Sequence, residues 1–487
     1  MSRNIHICLL NGRRETLTVL QSSKVGDLRI LAQKSFLLKG YVKLVTAEGH
    51  VLADPEQSVQ DAGLHEGDTI TAIVQQVQIA AASSAFALWC SGGDSLVTWG
   101  HPRGGGDCSA VQNQLRQVQQ VQATSLAFAA ITGDGSVVAW GTPDRGGDIS
   151  AVNHQLRNVK RVQSTCAAFA AILTDGSVVT WGSPHAGGDS SAVQHQLRNV
   201  QQIQATAEAF AAILADGSVV TWGSSGFGGD CSAVNHQLSN VQQLQASSCA
   251  FAAILADGSV VTWGSPEHGG DSSTVHHQLR NVKQIQTTGL AFAAIVADGS
   301  VVTWGTPVFG GDSSAVQDQL RNVKQIQATG AAFAAILVGG SVVTWGNPLE
   351  GGDSSAVQHQ LRNVKQVQAT RQAFAAILAD GSAVTWGSRH AGGDSSAVQH
   401  QLRNVEQVQA NVNAFAANLA DGSVVTWGRP DNGGDSSAVL HQLKNVQQLH
   451  ATSLAFAAIL VDGSLVTWGN PESGGCSSAI QDQLRNI

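Results

Sequence analysis

Tryptophan recurs at Trp99, Trp140, Trp181, Trp222, Trp263, Trp304, Trp345, Trp386, Trp427 and Trp468, always 41 residues apart and always followed by Gly. A fixed period of 20–50 residues marks one supersecondary unit copied in tandem. Such a unit cannot bury its apolar faces alone, so each copy must stack on its neighbours. This beat excludes a single conventional core for the 487-residue chain and demands an array.

The unit 283–323 reads "KQIQTTGLAFAAIVADGSVVTWGTPVFGGDSSAVQDQLRNV". "QIQTT" alternates as a strand (a), "LAFAAIV" follows as a second (b), and "SVVTW" as a third (c). Asp298-Gly299 supplies the tight turn between b and c. Asp312, Ser313 or Ser314 can cap a short helix or turn leading to the next copy. Three strands and one outer element suit a propeller blade. Unit one holds an extra residue in "WCSGGD", which predicts a bulged first hairpin. The units then fill 77–487 without a linker, as one ring or one continuous spiral. Ten blades exceed the usual four to eight, so a closed ring and an open solenoid both remain open.

Residues 1–76 follow another pattern. Runs at 5–9 and 15–19 alternate around Asn11-Gly12, a hairpin signal. Ser22 or Ser23 can cap a helix over 24–35, with Val25, Leu28 and Leu31 on one face. Strands are predicted near 41–47, 50–53 and 69–75, around a break at Pro55.

Charge separates the two parts. Residues 1–76 hold 8 of the 27 basic and 8 of the 35 acidic side chains, so the repeats carry the whole net charge of −8. That argues against nucleic acid as a partner, because phosphate binding needs a basic surface. The seven cysteines show no CxxC and no framework spacing, which points to a reducing compartment. No apolar run approaches a membrane span or a signal sequence. These readings predict an intracellular protein, cytoplasmic or nuclear, with no membrane partner.

The phrase "AFAAILADGSVVTWG…GGDSSAV…QLRNVKQIQAT" resembles the RCC1-type repeat, especially the shorter form in bacterial beta-lactamase-inhibitor propellers. That resemblance implies a β-propeller over 77–487, although family propellers usually have seven blades. The order β-β-α-β-β-β, and the stretch "VKLVTAEGHVLADPEQSVQDAGLHEGDTITAIV", resemble ubiquitin-like β-grasp domains. The resemblance implies an apolar recognition patch at Leu10, Val45 and Ile73. No Gly-Gly tail follows, since Val74-Gln75-Gln76 runs into the repeats, so conjugation is excluded and docking on ubiquitin-pathway machinery is the implied role.

The copies disagree in a few places only. Gly-Gly recurs six and seven residues after every Trp, whereas the fourth and fifth positions after Trp are scrambled. A second variable pair precedes each Ala-Phe. If a runs up, b down and c up, both variable loops share one face and the uniform Asp-Gly turns occupy the other. Loops on a rigid frame are where repeat proteins bind. The candidate partner-binding residues are Arg145, His185, Phe227, His268, Phe309, Leu349, Glu350, Arg371, Gln372, Arg389, His390, Asp431 and Asn432, with Phe227, Phe309 and Leu349 expected as exposed anchors. Drift in exposed loops is the competing explanation.

Other patterns carry less. The histidines fourteen residues after Trp, such as His195 and His359, belong to separate copies and cannot converge on one metal ion. The arginines three residues further read as a solvated edge. The Gly-Gly-Asp phrase lacks the spacing of the calcium nonapeptide. No Asp or Ser pairs with a positioned base. The expectation is a non-enzymatic interaction scaffold without catalytic residue, metal or cofactor. One alternative is an RCC1-like nucleotide exchanger for a small GTPase, although no unit carries a wedge-sized insertion. The other is a non-catalytic relative of HECT-type ubiquitin ligases with RCC1 repeats.

Overall fold

The computed structural model describes residues 2–36, 38, 41–91, 93 and 95–484. The first sheet comprises β1 (Ser2–Leu9), β2 (Arg14–Leu20), β3 (Tyr41–Thr46) and β4 (Thr69–Gln75) in the order β2-β1-β4-β3, with β1 and β4 parallel. Helix α1 (Val25–Phe36) lies across it, and Val25, Leu28, Ala32 and Phe36 pack with Ile5, Ile7, Val42, Leu44 and Ile70. The helix start differs from the expected serine cap. Asp27 Oδ2 reaches back to accept the Lys24 N–H at 3.0 Å, the acidic half of a capping box. Ser23 instead accepts from Leu20 N–H at 3.2 Å. The strand expected at 50–53 is reduced to one bridge, Val45 to Val51, before the chain turns away toward Pro55.

The remainder forms ten three-stranded antiparallel sheets, each in the order a-b-c. In unit three these are a (Val159–Ser164), b (Ala168–Leu173) and c (Val178–Gly182). The outer element after each Gly-Gly is 3-10 helix or turn, the weaker of the two forms expected, except in unit ten, where a 3-10 turn leads into one turn of α-helix at Gln481–Leu484. Strand a carries a bulge in units three to ten, as between Val159 and Arg161, where two residues oppose one. Unit one has none in the corresponding pair of strands, since Val77 to Ala81 pairs continuously with Cys90 to Phe86. The extra residue expected in unit one falls at 91–94, where 92 and 94 lie outside the described residues.

The recurrent aromatics explain how units stack. Phe169 and Trp181 face each other across b and c, their rings stacked at 5.1 Å, and the pair repeats in all ten units at 5.0–5.4 Å. The Trp181 indole N–H donates to the Gly146 carbonyl in the preceding unit at 3.0 Å. Apolar clusters then fill the space between units. Ala168, Ala170 and Ile172 of unit three meet Val200, Ile203, Phe210 and Trp222 of unit four, with Leu197 of the connection between them.

The array closes on itself. Trp99 of unit one donates to the Gly474 carbonyl of unit ten at 3.1 Å, the same bond that joins every other pair. Phe86, Leu88 and Trp99 share a cluster with Ala455, Ala457 and Ile459. A second circuit runs through the a–b loops, where each backbone N–H donates to the next loop's carbonyl, as Ser83 does to Ser125 at 3.1 Å. Its last member, Ser453, donates to Ser83 at 3.2 Å. The spiral left open by the sequence is therefore replaced by a ring. Strands a of successive units run side by side, with Ser164 Oγ donating to the Ala123 carbonyl at 2.7 Å. Strand a is thus innermost, as in a β-propeller.

The first domain rests on one Asp-Gly turn. Arg29, only 2% exposed, donates to the Asp462 carbonyl of unit ten at 3.1 Å and to the carbonyls of Leu52 and Ala53. The opposite face of the ring, with the loops after Trp, is free of this contact.

Candidate functional site on the loop face

The loop after each Trp-Gly is built the same way. In most units a Pro opens a 3-10 turn, as at Pro348, and a left-handed Gly ends it, as at Gly351 with φ +101°. That Gly cannot be replaced freely. A Cβ on Gly351 would lie 2.6 Å from Cδ2 of Phe374 in the next unit. The Gly351 carbonyl meanwhile accepts the Trp386 indole N–H at 3.0 Å. The following Gly352 would place its Cβ 2.4 Å from the Gly346 carbonyl oxygen. The first Gly of the pair is therefore fixed by the packing of one unit on the next, and the second by the close turn of its own loop.

The two variable positions in the same loop differ physically. The fourth residue after Trp is exposed in all ten units. Leu349 is 79% exposed and Val308 55%. Arg103, Asp144, His185, Glu267, His390, Asp431 and Glu472 share this column. The fifth residue turns inward, and its carbonyl is held by the a–b loop. Thr124 Oγ1 donates to the Arg145 carbonyl at 3.0 Å, Thr206 Oγ1 to Phe227 at 2.9 Å, and Thr329 Oγ1 to Glu350 at 3.0 Å. Such bonds tie the two variable loops together in eight of the ten units, so the loops do lie on one face.

Most of the sequence-derived candidates meet on this face, in two layers. His185, Leu349, Arg371, Arg389, His390 and Asp431 are exposed. Arg145, Phe227, His268, Phe309, Glu350 and Gln372 are half-buried, and Asn432 is buried. Phe227 and Phe309 therefore differ from the exposed anchors expected. Both rings fold against inter-unit clusters, Phe227 with Leu238 and Trp263, Phe309 with Leu320 and Trp345. His268 Nδ1 pairs with Ser265 Oγ at 2.8 Å. Gln372 Nε2 donates to Glu350 Oε1 at 3.4 Å. Arg389 Nε pairs with Asp394 at 3.3 Å within its own loop. Val308, adjacent to Leu349 around the ring, was not among the candidates, although it stands in the same column of the sequence.

An opening of about 610 Å³ lies at the centre of this face, lined by Ala81, Ser125, Cys166, Arg371, Val412 and Ser453 among others. Deeper on strand a of unit ten, His450 replaces the usual glutamine and contacts Gln448 Oε1 at 3.1 Å. Burial pushes its pKa down to about 4, so the ring is neutral at pH 7. A larger cavity, about 940 Å³, lies between units five and six and is lined by His268, Val275, Gln278 and Thr303. Among the described residues, no group of three His, Cys, Asp or Glu stands close enough to hold a metal ion. All seven cysteines are free thiols, and burial raises that of Cys90 to about 11.

The Asp-Gly face is different in kind. Each turn aspartate caps its own turn, as Asp134 does by accepting from Ser136 N–H at 3.0 Å, Ser136 Oγ at 2.7 Å and Thr132 Oγ1 at 2.7 Å. These bonds hold its carboxyl down at about 2. In the first domain, the register Lys43 to Ile73 and Val45 to Thr71 puts Val45 and Ile73 on the outer side of the sheet, opposite the buried Val42, Leu44 and Ala72. Leu10, 78% exposed, follows Leu9, which pairs with Ala72, so the three positions adjoin.

No family model and no curated protein matches the chain. Similar solved structures include Prp20p from Saccharomyces cerevisiae, with 16% identity over 64% of this chain and 83% of that one and a TM-score of 0.34. Yeast RCC1 (Prp20) bound to Kap60 gives 15% identity over 74% and 80%, with a TM-score of 0.35. Ubiquitin from Caldiarchaeum subterraneum gives 21% identity over 16% of this chain and 98% of that one, with a TM-score of 0.15. These likenesses are distant, and the architecture rests on the sheets, clusters and closing bonds described above. No helix among the described residues is long and apolar enough to cross a membrane.

Proposed function

We propose that the chain is an RCC1-type propeller of ten units behind a ubiquitin-like domain, working as a non-enzymatic scaffold inside the cell. The loop face captures a protein partner, and the first domain docks on ubiquitin-pathway machinery through Leu10, Val45 and Ile73. The observation that carries the reading is the exposed column after Trp-Gly. The frame around it is held unit to unit by Trp and Gly-Gly, while its side chains differ in charge, size and polarity from copy to copy. Anchorage of the first domain at Asp462 supports simultaneous use of both surfaces, because it leaves the loop face clear. The exchange-factor reading has less support, since the ten post-Trp loops share one short geometry and none projects as a wedge.

The half-buried Phe227 and Phe309 are poor test positions, because changing them disturbs the packing between units. The test is affinity capture with the full chain against a Val308→Ser/Leu349→Ser/Arg389→Ser variant. Proteins retained by the wild type and lost by an equally stable variant fit the proposal. An identical retained set would reject the loop face as the binding surface.

A further inference from the structure

We infer that the loop face joins two copies of this chain face to face, related by a two-fold axis lying in the plane between the rings. The inference rests on the reading of that face as a protein-binding surface, and it names the partner. Two-fold homodimers are the commonest assemblies, and their interfaces must be self-complementary. The loop face meets that condition in one setting of the axis, which its apolar residues fix.

Among the described residues, two large apolar side chains in the post-Trp column are strongly exposed, Val308 of unit six and Leu349 of unit seven. They stand on adjacent units of a closed ten-membered ring. A ring turned over by an in-plane axis presents its units in reverse order. An axis passing between units six and seven sets Val308 on Leu349 of the second copy, twice over. It also passes between units one and two on the far side of the ring.

With the axis fixed by those two residues, the charges in the column follow without further choice. Unit five meets unit eight, so Glu267 stands opposite His390 and its neighbour Arg389. Unit one meets unit two, so Arg103 stands opposite Asp144. Unit three meets unit ten, setting His185 against Glu472. Unit four meets unit nine, where Gly226 faces Asp431. No like charges oppose each other anywhere in the column. Arg389, 82% exposed at its side chain, carries one ion pair, to Asp394 of its own loop, and stands ready for a second carboxylate. The first domain lies against the other face and obstructs nothing. The arrangement therefore has an apolar centre at one side of the rim, flanked by Glu267 against Arg389, with Arg103 against Asp144 on the far side, the pattern that gives a protein interface its register.

Sedimentation velocity on the full chain tests this over a concentration series. The wild type is expected to reach twice its 50.4 kDa mass. Leu349→Asp is expected to sediment as a monomer with an unchanged melting temperature. Glu267→Arg and Arg389→Glu are each expected to weaken self-association by roughly tenfold to a hundredfold, because each sets like charges opposite one another at two symmetric contacts. An equimolar mixture of those two variants is expected to dimerise again, since every such contact then joins opposite charges. A wild type that is monomeric at every concentration overturns the dimer, as does a dimer indifferent to all three substitutions. If a monomeric chain still loses a captured partner on Leu349→Asp, the dimer falls and the loop-face reading stands. If its captured set does not change, both fall.

Discussion

The two faces of the ring are made by the same 41 residues and behave oppositely. On the Asp-Gly face nearly every residue is repeated, and each has a structural task. The turn aspartate accepts from the serine two residues on, and the turn glycine leaves room for the next unit's asparagine, whose Cα would lie 2.7 Å from a Cβ on Gly176. On the loop face the repeated residues are again those that packing fixes, the Trp and the first Gly of the pair between units, the Gly after Trp and the second Gly of the pair mainly within their own unit. The fourth residue after Trp touches no neighbour that requires its identity, and there the copies diverge. Uniformity thus follows packing and hydrogen bonding, within a unit as well as between units, rather than the choice of face. The exposed column is the part of the ring whose side chains no packing contact fixes.

Several changes can break this comparison. The largest effect is expected from Gly351→Ala. It forces a left-handed residue without glycine's freedom and drives a methyl into Phe374, at a cost of about 3–5 kcal/mol. A drop in melting temperature by thermal denaturation is the check, and an unchanged midpoint would show that Gly-Gly is not a packing requirement. Trp99→Phe is next. It deletes the indole donor to Gly474 and leaves a buried carbonyl unpaired, at about 1–3 kcal/mol. Trp222→Phe at an ordinary junction should cost the same, because the seam repeats the same bond. In an open array Trp99 would have no such partner, and the two substitutions would differ.

Asn418 tests the ring from within. It replaces the isoleucine of other copies and is 8% exposed. Its amide reaches the Val446 carbonyl at 3.3 Å, while its Oδ1 finds no partner among the described residues. Asn418→Ile is expected to stabilise the chain by about 1–2 kcal/mol, since burying an unsatisfied acceptor is unfavourable. A lower melting point would contradict that account.

His450 gives a smaller, pH-dependent effect. Its folded pKa, about 4, lies below the unfolded value, so the unfolded chain binds the extra proton. The contribution is fully present above pH ~6.5 and is lost as pH falls toward 4. Below that, the carboxylates of the Asp-Gly turns, held down by their serine bonds, add their own acid lability. His450→Gln, which restores the residue of the other copies, should flatten the stability profile between pH 6.5 and 4 and leave the steeper loss below it. An unaltered profile would place the titration elsewhere.

The repeat made much of this legible. The period fixed the unit, the Asp-Gly and Gly-Gly phrases fixed its turns, and strand alternation brought both variable loops to one face. Closure was not legible, because it depends on the small rotation between neighbouring units summed over ten, which no residue records. The seam uses the same Trp and Gly as any other junction. Phe227 and Phe309 are half-buried rather than exposed because exposure within the loop alternates at a single residue. The fourth position points out and the fifth folds back, since its carbonyl is held by Thr206 or Thr288. The strand expected at 50–53 shrinks to one bridge, although the Leu52 N–H still donates to the Leu44 carbonyl at 2.9 Å and Leu52 is buried in the core.

Within one loop, the proposed recognition position and the packing frame lie two residues apart, at Leu349 and Gly351. The direct measurement compares Leu349→Ser with Gly351→Ala for melting temperature and for self-association or partner capture on the same preparations. Leu349→Ser is expected to melt with the wild type, within about 0.5 kcal/mol, and to lose binding. Gly351→Ala is expected to melt well below both. If Leu349→Ser destabilises the ring as much as Gly351→Ala, or leaves binding intact, the exposed column is not the recognition surface and the account is wrong.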